Sequence, residues 1–549
     1  MTEITAAMLN APEVIRNPYP FYDRLRAAAP VFGYRDYPPG TVPGIDTPEP
    51  AWVVLSHDDV VRVAADHESF SSRDSLQEQS SAPTLMLVNH DRPEHSRLRK
   101  IAAKVFNSAA ILALGPRIGE LVRATLDETV DARGPGAPVD VMDGYCALLP
   151  ARVLAMMLSV PDERVEDIRR WATAFMLSAD LAPAERLRCN AEIVDFYAGH
   201  VACRVAALGA GAAPNTSLLD AFITTEVDGE RLTRDEVIRF CLTATVAGAE
   251  TTTFMLGNLF AALADFPETW AALRHDPARF GVVYEESLRF YGPPQRLFRV
   301  ATRDVTIGRA EIKTGDWVAC FFGAANYDPA VFPEPYRFRL DRENGNRHLS
   351  FGYGIHRCVG AALARLEAEL TVAELLARYD RIERAAPIAW QGVSQLTHGP
   401  ETNSLSFTLS RREAVKMANS PLQVTQAIFA AFGMGDVDSI VALLHDEIMI
   451  EFYGPAVIPY AGTYRGFAEA RRFFETVLES VDIHQFEAED FNEDGDKIVV
   501  IGHLRLTARA TGRPIESEFV HVITVADGKW LRFRDFMNTA VASAAFAPG

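Results

Sequence analysis

Apolar positions recur at helical spacing through most of the first 290 residues, and alternation with polar positions at period two is confined to short stretches. Near the start, Asn17-Pro-Tyr-Pro-Phe-Tyr with Arg24-Leu-Arg26 reads as a helix, and Ala51-Trp-Val-Val-Leu-Ser56 as a strand of a β-hairpin. The clearest helix runs from Leu232 to about Asp265. Thr233 and Glu236 form a capping box there, and Leu232 and Val237 occupy the two positions of a hydrophobic staple. At about 1.5 Å per residue such a helix crosses a whole domain. Its middle, Ala247-Gly-Ala-Glu250-Thr251-Thr-Thr253, is rich in poor helix formers, and threonine hydroxyls bond back to carbonyls one turn earlier. A local distortion is predicted there, the alternative being a weak stretch that the helix tolerates.

The pattern changes after the strand-like Ser404-Leu-Ser-Phe-Thr-Leu409. A charged stretch, Arg411-Arg-Glu-Ala-Val-Lys416, reads as part of a connector over 411–419. From Ser420 onward an apolar helix ends near Gly435-Asp436, a second short helix runs through Leu444, and strands follow at Lys497 to Ala508, Glu516 to Ala526 and Trp530 to Phe536. Asp527-Gly528 between the last two is a hairpin signal. The prediction is a multidomain chain: a mainly α domain over 1–410 and a small α+β domain over 420–549.

The 549 residues are 48% hydrophobic and 23% charged, which suits a globular chain with a large core. The net charge of −19 argues against a nucleic-acid partner. The first residues show no signal-peptide pattern and no run of 18 or more apolar residues occurs, so a cytoplasmic protein without a membrane anchor is expected. The six cysteines, Cys146, Cys189, Cys203, Cys241, Cys320 and Cys358, lack the close spacing of a disulfide framework or an iron–sulfur site.

One of them stands in Phe351-Gly-Tyr-Gly-Ile-His-Arg-Cys358-Val-Gly360, a glycine-rich loop ahead of a strong helix. A cysteine in a turn is commonly a small core hydrophobe. A thiolate in this setting is also suited to ligate haem iron, with Gly352, Gly354 and Gly360 letting the backbone approach a flat macrocycle. The segment resembles the haem-binding signature of the cytochromes P450, Phe-Gly-x-Gly-x-His-x-Cys-x-Gly, at every defined position. Matching segments follow the family's order over residues 1–410, in the manner of its bacterial members.

The resemblance implies haem b as cofactor, Cys358 as the iron ligand with Phe351 and Gly352 beside it, and His95, Arg99, Arg299 and His356 as contacts to the haem propionates. His95 and Arg99, at i and i+4, reach one anion from one helix face, and arginine binds carboxylates bidentately. Glu250 and Thr251 would be the acid–alcohol pair that relays protons in dioxygen activation. Glu286 and Arg289 would be a structural ion pair. A substrate pocket is expected from Ser69 to Leu87, Trp171 to Leu187, Thr243, Ala244, Ala247 and Gln295 to Phe298, including Leu87, Leu297 and Phe298. These mainly apolar residues imply a hydrophobic small molecule. Electrons would come from a ferredoxin and its reductase, docking on Arg97, Arg99, Lys100, Lys104, Arg347 and Arg357; each such charge is equally well read as a solvated face.

The second domain, with Gly435-Asp-Val-Asp-Ser-Ile-Val-Ala-Leu-Leu and Tyr460-Ala-Gly-Thr-Tyr-Arg-Gly466, resembles the SnoaL-like branch of the nuclear-transport-factor-like superfamily, an α+β cone. The ketosteroid isomerase machinery of that superfamily is missing, since its tyrosine, base and acidic donor fall on Ile428, Phe452 and His521. The aspartate–arginine–aspartate set of its epoxide hydrolases is also incomplete. A pocket with Tyr453, His503, His521, Asp535 and Asn538 is expected, where a histidine is either a general base or a satisfied core residue.

The resulting expectation is a monooxygenase of secondary metabolism that hydroxylates or epoxidises a hydrophobic substrate, with an accessory second domain for homodimerisation or substrate access. The rival readings are a bifunctional enzyme whose second domain cyclises, isomerises or hydrates the product, and a non-catalytic haem protein that binds a ligand.

Overall fold

Between Arg234 and Asp265 the chain is a single α-helix, opened by the expected capping box of Thr233 and Glu236 and with Leu232 and Val237 both buried. The expected distortion is not present: the helix is unbroken through Gly248 and the threonines. Thr251 Oγ1 donates to Ala247 O at 2.6 Å and Thr253 Oγ1 to Ala249 O at 3.0 Å, so the hydroxyls are satisfied within the helix they were expected to bend. Gly248 has its own reason, since a Cβ there would stand 3.2 Å from Leu154 Cδ2 on the neighbouring helix Ala147–Leu158.

The computed structural model describes residues 6–37, 49–73, 83–134, 136–176, 181–392, 394, 396–409, 421–433 and 435–547. The chain divides into two units, Met1–Leu409 and Ser410–Gly549. The connector expected over 411–419 lies outside the described residues.

In the first unit the long helix packs against Ala147–Leu158, Val165–Phe175 and Pro183–Gly209, whose apolar faces form one core. A five-stranded sheet stands apart from these helices. Its order is Val31–Tyr37, Glu49–Val54, Trp317–Cys320, Leu297–Ala301 and Phe70–Ser71. The predicted early strand pairs antiparallel with the first of these, Gly33 opposite Trp52, and parallel with Trp317–Cys320. Arg289 and Glu286 form the expected pair, Nε to Oε2 at 2.8 Å, with both side chains buried. Glu286 also accepts from Arg342, and Arg289 donates to the carbonyls of Asn326 and Pro335. The cluster ties a helix to an irregular segment by charge-assisted bonds.

The second unit is a mixed six-stranded sheet in the order Gly462–Arg465, Leu444–Phe452, Lys529–Met537, Arg513–Ala526, Lys497–Ala508 and Val481–Asp494. Helices Pro421–Gly433 and Gly466–Ser480 pack on it over a separate core. Trp530 is buried in that core, its indole N–H donating to Thr425 Oγ1 at 3.0 Å. Asp527 and Gly528 both take positive φ in the hairpin that the sequence marks.

Candidate active site

A cavity of about 430 Å³ opens against the middle of the long helix. Thr243, Ala244, Ala247 and Thr251 face it from that helix, Leu297 and Phe298 from the sheet, and Leu87 from the segment before helix Glu94–Val105. Of the two broader stretches, Ser72, Leu85, Met86, Phe175 and Met176 reach it, while 74–82 and 177–180 lie outside the described residues. Gln295 is buried behind the wall, its amide donating to Gly292 O.

The opposite wall is the cysteine loop. Its turn is closed by the Cys358 N–H donating to Phe351 O at 2.8 Å and by positive φ at Gly352 and Gly354. A Cβ on Gly354 would stand 2.6 Å from Ala64 O, so the end of helix His57–Ala65 by itself demands this glycine. A Cβ on Gly360 would sit at ordinary distance from the Cys358 sulfur, 3.8 Å away. The sulfur opens into the cavity. Apolar walls raise the pKa of its thiol; the N–H groups of Gly360 and Ala361, at the start of helix Ala361–Arg378, and the Arg99 guanidinium act in the other direction. Helix N-termini and cations favour a thiolate in this way.

Basic groups gather on the same cavity. His95 is buried and its Nε2 has no hydrogen-bond partner. Its ring lies 4.6 Å from that of His356, whose Nε2 is 2.9 Å from Ser72 Oγ. Burial, then the neighbouring Arg99, pushes His95 down to about 4; burial, then Arg299, pushes His356 down to about 3. Burial and the neighbouring cations thus disfavour a charge on either imidazole. Arg299 is buried with one N–H on Phe298 O; neither Arg99 nor Arg299 makes an ion pair among the described residues, the Asp91 carboxylate acting on Arg299 from farther off. Burial lowers the pKa of both guanidinium groups.

Thr251 faces the cavity and gives its proton to Ala247 O, which leaves its lone pairs to accept from a donor in the cavity. Glu250, the next residue back, is buried outside the lining, and its Oε1 accepts from Thr397 Oγ1 at 3.2 Å.

The cytochrome P450 family model matches residues 282–386, and the SnoaL-like domain model matches 425–533. The putative cytochrome P450 YjiB of Bacillus subtilis is 32% identical over 375 residues, covering 67% of this chain and 88% of that protein. The chain belongs to the cytochrome P450 family. The P450 monooxygenase PikC of Streptomyces venezuelae is 33% identical over 370 residues, 66% of this chain and 84% of PikC. The crystal structure of CYP109E1 from Bacillus megaterium in complex with testosterone has a TM-score of 0.60 at 26% identity, over 71% of this chain and 99% of that one.

P450 proteins bind haem b, and the residues of this P450 suit it. Two buried or half-buried guanidinium groups that make no ion pair among the described residues, with an unpartnered imidazole nitrogen, would suit the two carboxylates of that group, beside a sulfur turned into the same cavity. Among the described residues no single helix is long and apolar enough to cross a membrane.

In the second unit a cavity of about 60 Å³ is lined by aromatic side chains together with His521 and Asp535, whose Nε2 and Oδ2 are 3.4 Å apart. The other expected members lie elsewhere. His503 is on the opposite face of its strand, 3.5 Å from Glu516, because alternation turns Gly502 and Leu504 inward instead. Tyr453 is exposed and stacks on Phe536, and Asn538 caps the last helix, Thr539–Phe546. Tyr460, which motif reading used only for its resemblance, lines the cavity; burial and the Asp535 carboxylate hold its phenol above the usual range.

Sequence reading also missed Thr397 and Glu367 on the P450 cavity. Thr397 lies in a loop with no periodicity. Glu367 could have been found as a carboxylate on the buried face of the helix after Cys358.

Proposed function

We propose that this P450 hydroxylates or epoxidises a hydrophobic small molecule of secondary metabolism. The observation that carries the reading is the gathering, around one largely apolar cavity, of the Cys358 sulfur, Arg99 and Arg299, which make no ion pair among the described residues, and the unpartnered His95 Nε2. Bound there through Cys358, haem b supplies a thiolate-ligated iron that activates dioxygen. Arg99, Arg299, His95 and His356 hold and orient the two propionates, while Phe351 and Gly352 flank the ligand loop. Thr251 accepts a hydrogen bond from water in the cavity, and Glu250 is the acid that feeds protons to it. Leu87, Thr243, Ala244, Ala247, Leu297 and Phe298 shape the substrate space. PikC is named a monooxygenase, and CYP109E1 was solved with a steroid, which fits an apolar substrate.

The purified protein, reduced under carbon monoxide, is expected to show the red-shifted Soret band of thiolate ligation and to lose it in Cys358→His. Turnover of a metabolite library with surrogate ferredoxin and reductase then identifies the product; thiolate ligation with no turnover of any compound would leave the ligand-binding reading in its place. A ferredoxin has a docking face in the cleft behind the cysteine loop, where Arg347 and Arg357 line the wall. Arg97 and Lys100 are less available, being paired with Glu236 and Asp228.

For the SnoaL-like unit the primary reading is an accessory role in homodimerisation or substrate access, supported by exposed Ile501 and Phe536 on its sheet and Tyr453 just past a strand end. The second reading, a cyclising, isomerising or hydrating activity, rests on His521 Nδ1 and Asp535 Oδ1, both buried and without partners in an aromatic cavity. A histidine–carboxylate pair in such a place suits proton transfer. Removing residues 410–549 separates them: a change from dimer to monomer supports dimerisation, and an unchanged oligomeric state with a different product supports catalysis.

A further inference from the structure

We propose that Thr397 is a positioning residue for the acid limb of the reaction, the side chain through which Glu250 reaches the active-site cavity. The proposal rests on the reading of Glu250 as proton donor. Glu250 and Thr251 are adjacent in sequence, but a helix turns consecutive side chains about 100° apart. Thr251 therefore faces the cavity, and the Glu250 carboxylate does not. The gap is bridged by a residue far away in sequence: Thr397 Oγ1 donates to Glu250 Oε1 at 3.2 Å, and Thr397 lines the same cavity as Thr251 and Thr252.

Thr397 is held to do this. It is 2% exposed. Its carbonyl accepts from Gln391 Nε2 at 2.6 Å, and that same amide also holds Ser394 O at 3.0 Å. Leu396 O accepts from Gln295 N–H and His398 N–H donates to Pro293 O, so the residues on either side of Thr397 are pinned to the segment that leads into the cavity wall. A bridge between Pro294 and Thr397 fixes the register between those bonds. A hydroxyl has one proton to give and lone pairs to accept with. Donating to the ionised Glu250 carboxylate, Thr397 fixes its orientation. When Glu250 is protonated, the Glu250 O–H bond breaks as its proton passes to Thr397 Oγ1, and the Thr397 O–H bond breaks as its own proton passes to a water in the cavity. One proton moves, both side chains keep their hydrogen count between them less that one, and solvent restores it. No electron is transferred.

The variant that tests this is Thr397→Val in the holoenzyme, which keeps shape and removes the hydroxyl, with Thr397→Ser as the rescue. Direct proton donors contribute about a hundred- to ten-thousandfold. Loss of a relay that acts through Glu250 is expected to lower product formed per dioxygen consumed by about tenfold, with the electrons diverted to hydrogen peroxide and the solvent isotope effect increased. Hydrogen peroxide supplied directly, which brings its own protons, should drive both proteins equally. The second readout does not depend on turnover: the Glu250 carboxyl band in the infrared, identified as the one lost in Glu250→Gln, should shift in Thr397→Val and return in Thr397→Ser. Unchanged coupling and an unmoved band in Thr397→Val overturn the proposal. An absent thiolate Soret band, or intact coupling in Glu250→Gln, overturns instead the reading on which it rests.

Discussion

Met86 and Thr243 are joined by a bond from the Met86 N–H to Thr243 Oγ1 at 2.8 Å, while the same hydroxyl donates to Arg239 O at 2.7 Å. The long helix thus holds the segment that carries Leu85, Met86 and Leu87 into the cavity, and it does so with a threonine that faces the substrate space. Thr243→Val leaves the Met86 N–H without its acceptor. Stability should fall by about 1 kcal/mol, and substrate affinity, read from the spin-state titration, should fall while the carbon-monoxide spectrum is unchanged.

Glu286 is the common partner of Arg289 and Arg342, all three side chains being nearly inaccessible. Glu286→Gln leaves two buried guanidinium groups without a counter-charge. A loss of about 3–5 kcal/mol is expected, measured by denaturant unfolding and accompanied by weakened haem retention.

Glu367 is 3% exposed, its Oε2 has no partner, and burial pushes its pKa up to about 8, well above the usual carboxylate range. The folded-state value is raised, so ionisation opposes folding. Below the unfolded value both states are protonated and the residue costs nothing. Between that value and about 8 the unfolded chain ionises first, and stability falls by about 1.4 kcal/mol per pH unit. Glu367→Gln should gain little over the parent near pH 5 and most at pH 8 and above, as a difference in denaturant midpoints.

Gly354 combines φ of +70° with the close approach to Ala64 O. Gly354→Ala should cost about 1–3 kcal/mol and disturb the cysteine loop, read as a weakened thiolate band in the reduced carbon-monoxide spectrum.

The long helix, its cap and the last hairpin were legible because each is specified by residues adjacent in the chain. The same holds for the cysteine loop and for His95 with Arg99, one helical turn apart. Three things were not. Four back-bonding threonines leave the helix unbroken, an outcome set by the whole 32-residue helix and not by the local sequence that suggested a distortion. Thr397 is brought to Glu250 across 147 positions, a distance over which no local pattern operates. In the second unit, His503 and His521 look alike in sequence, and only strand register sends one outward and the other into the cavity.

Trp530 has a practical consequence. The chain has six tryptophans, of which Trp530 alone follows residue 410. It sits at the centre of its unit's own core, bonded to Thr425. Its emission is an optical tag that nature has already installed: the difference between the parent and Trp530→Phe isolates the melting of one unit from the other, without cutting the chain or attaching a dye.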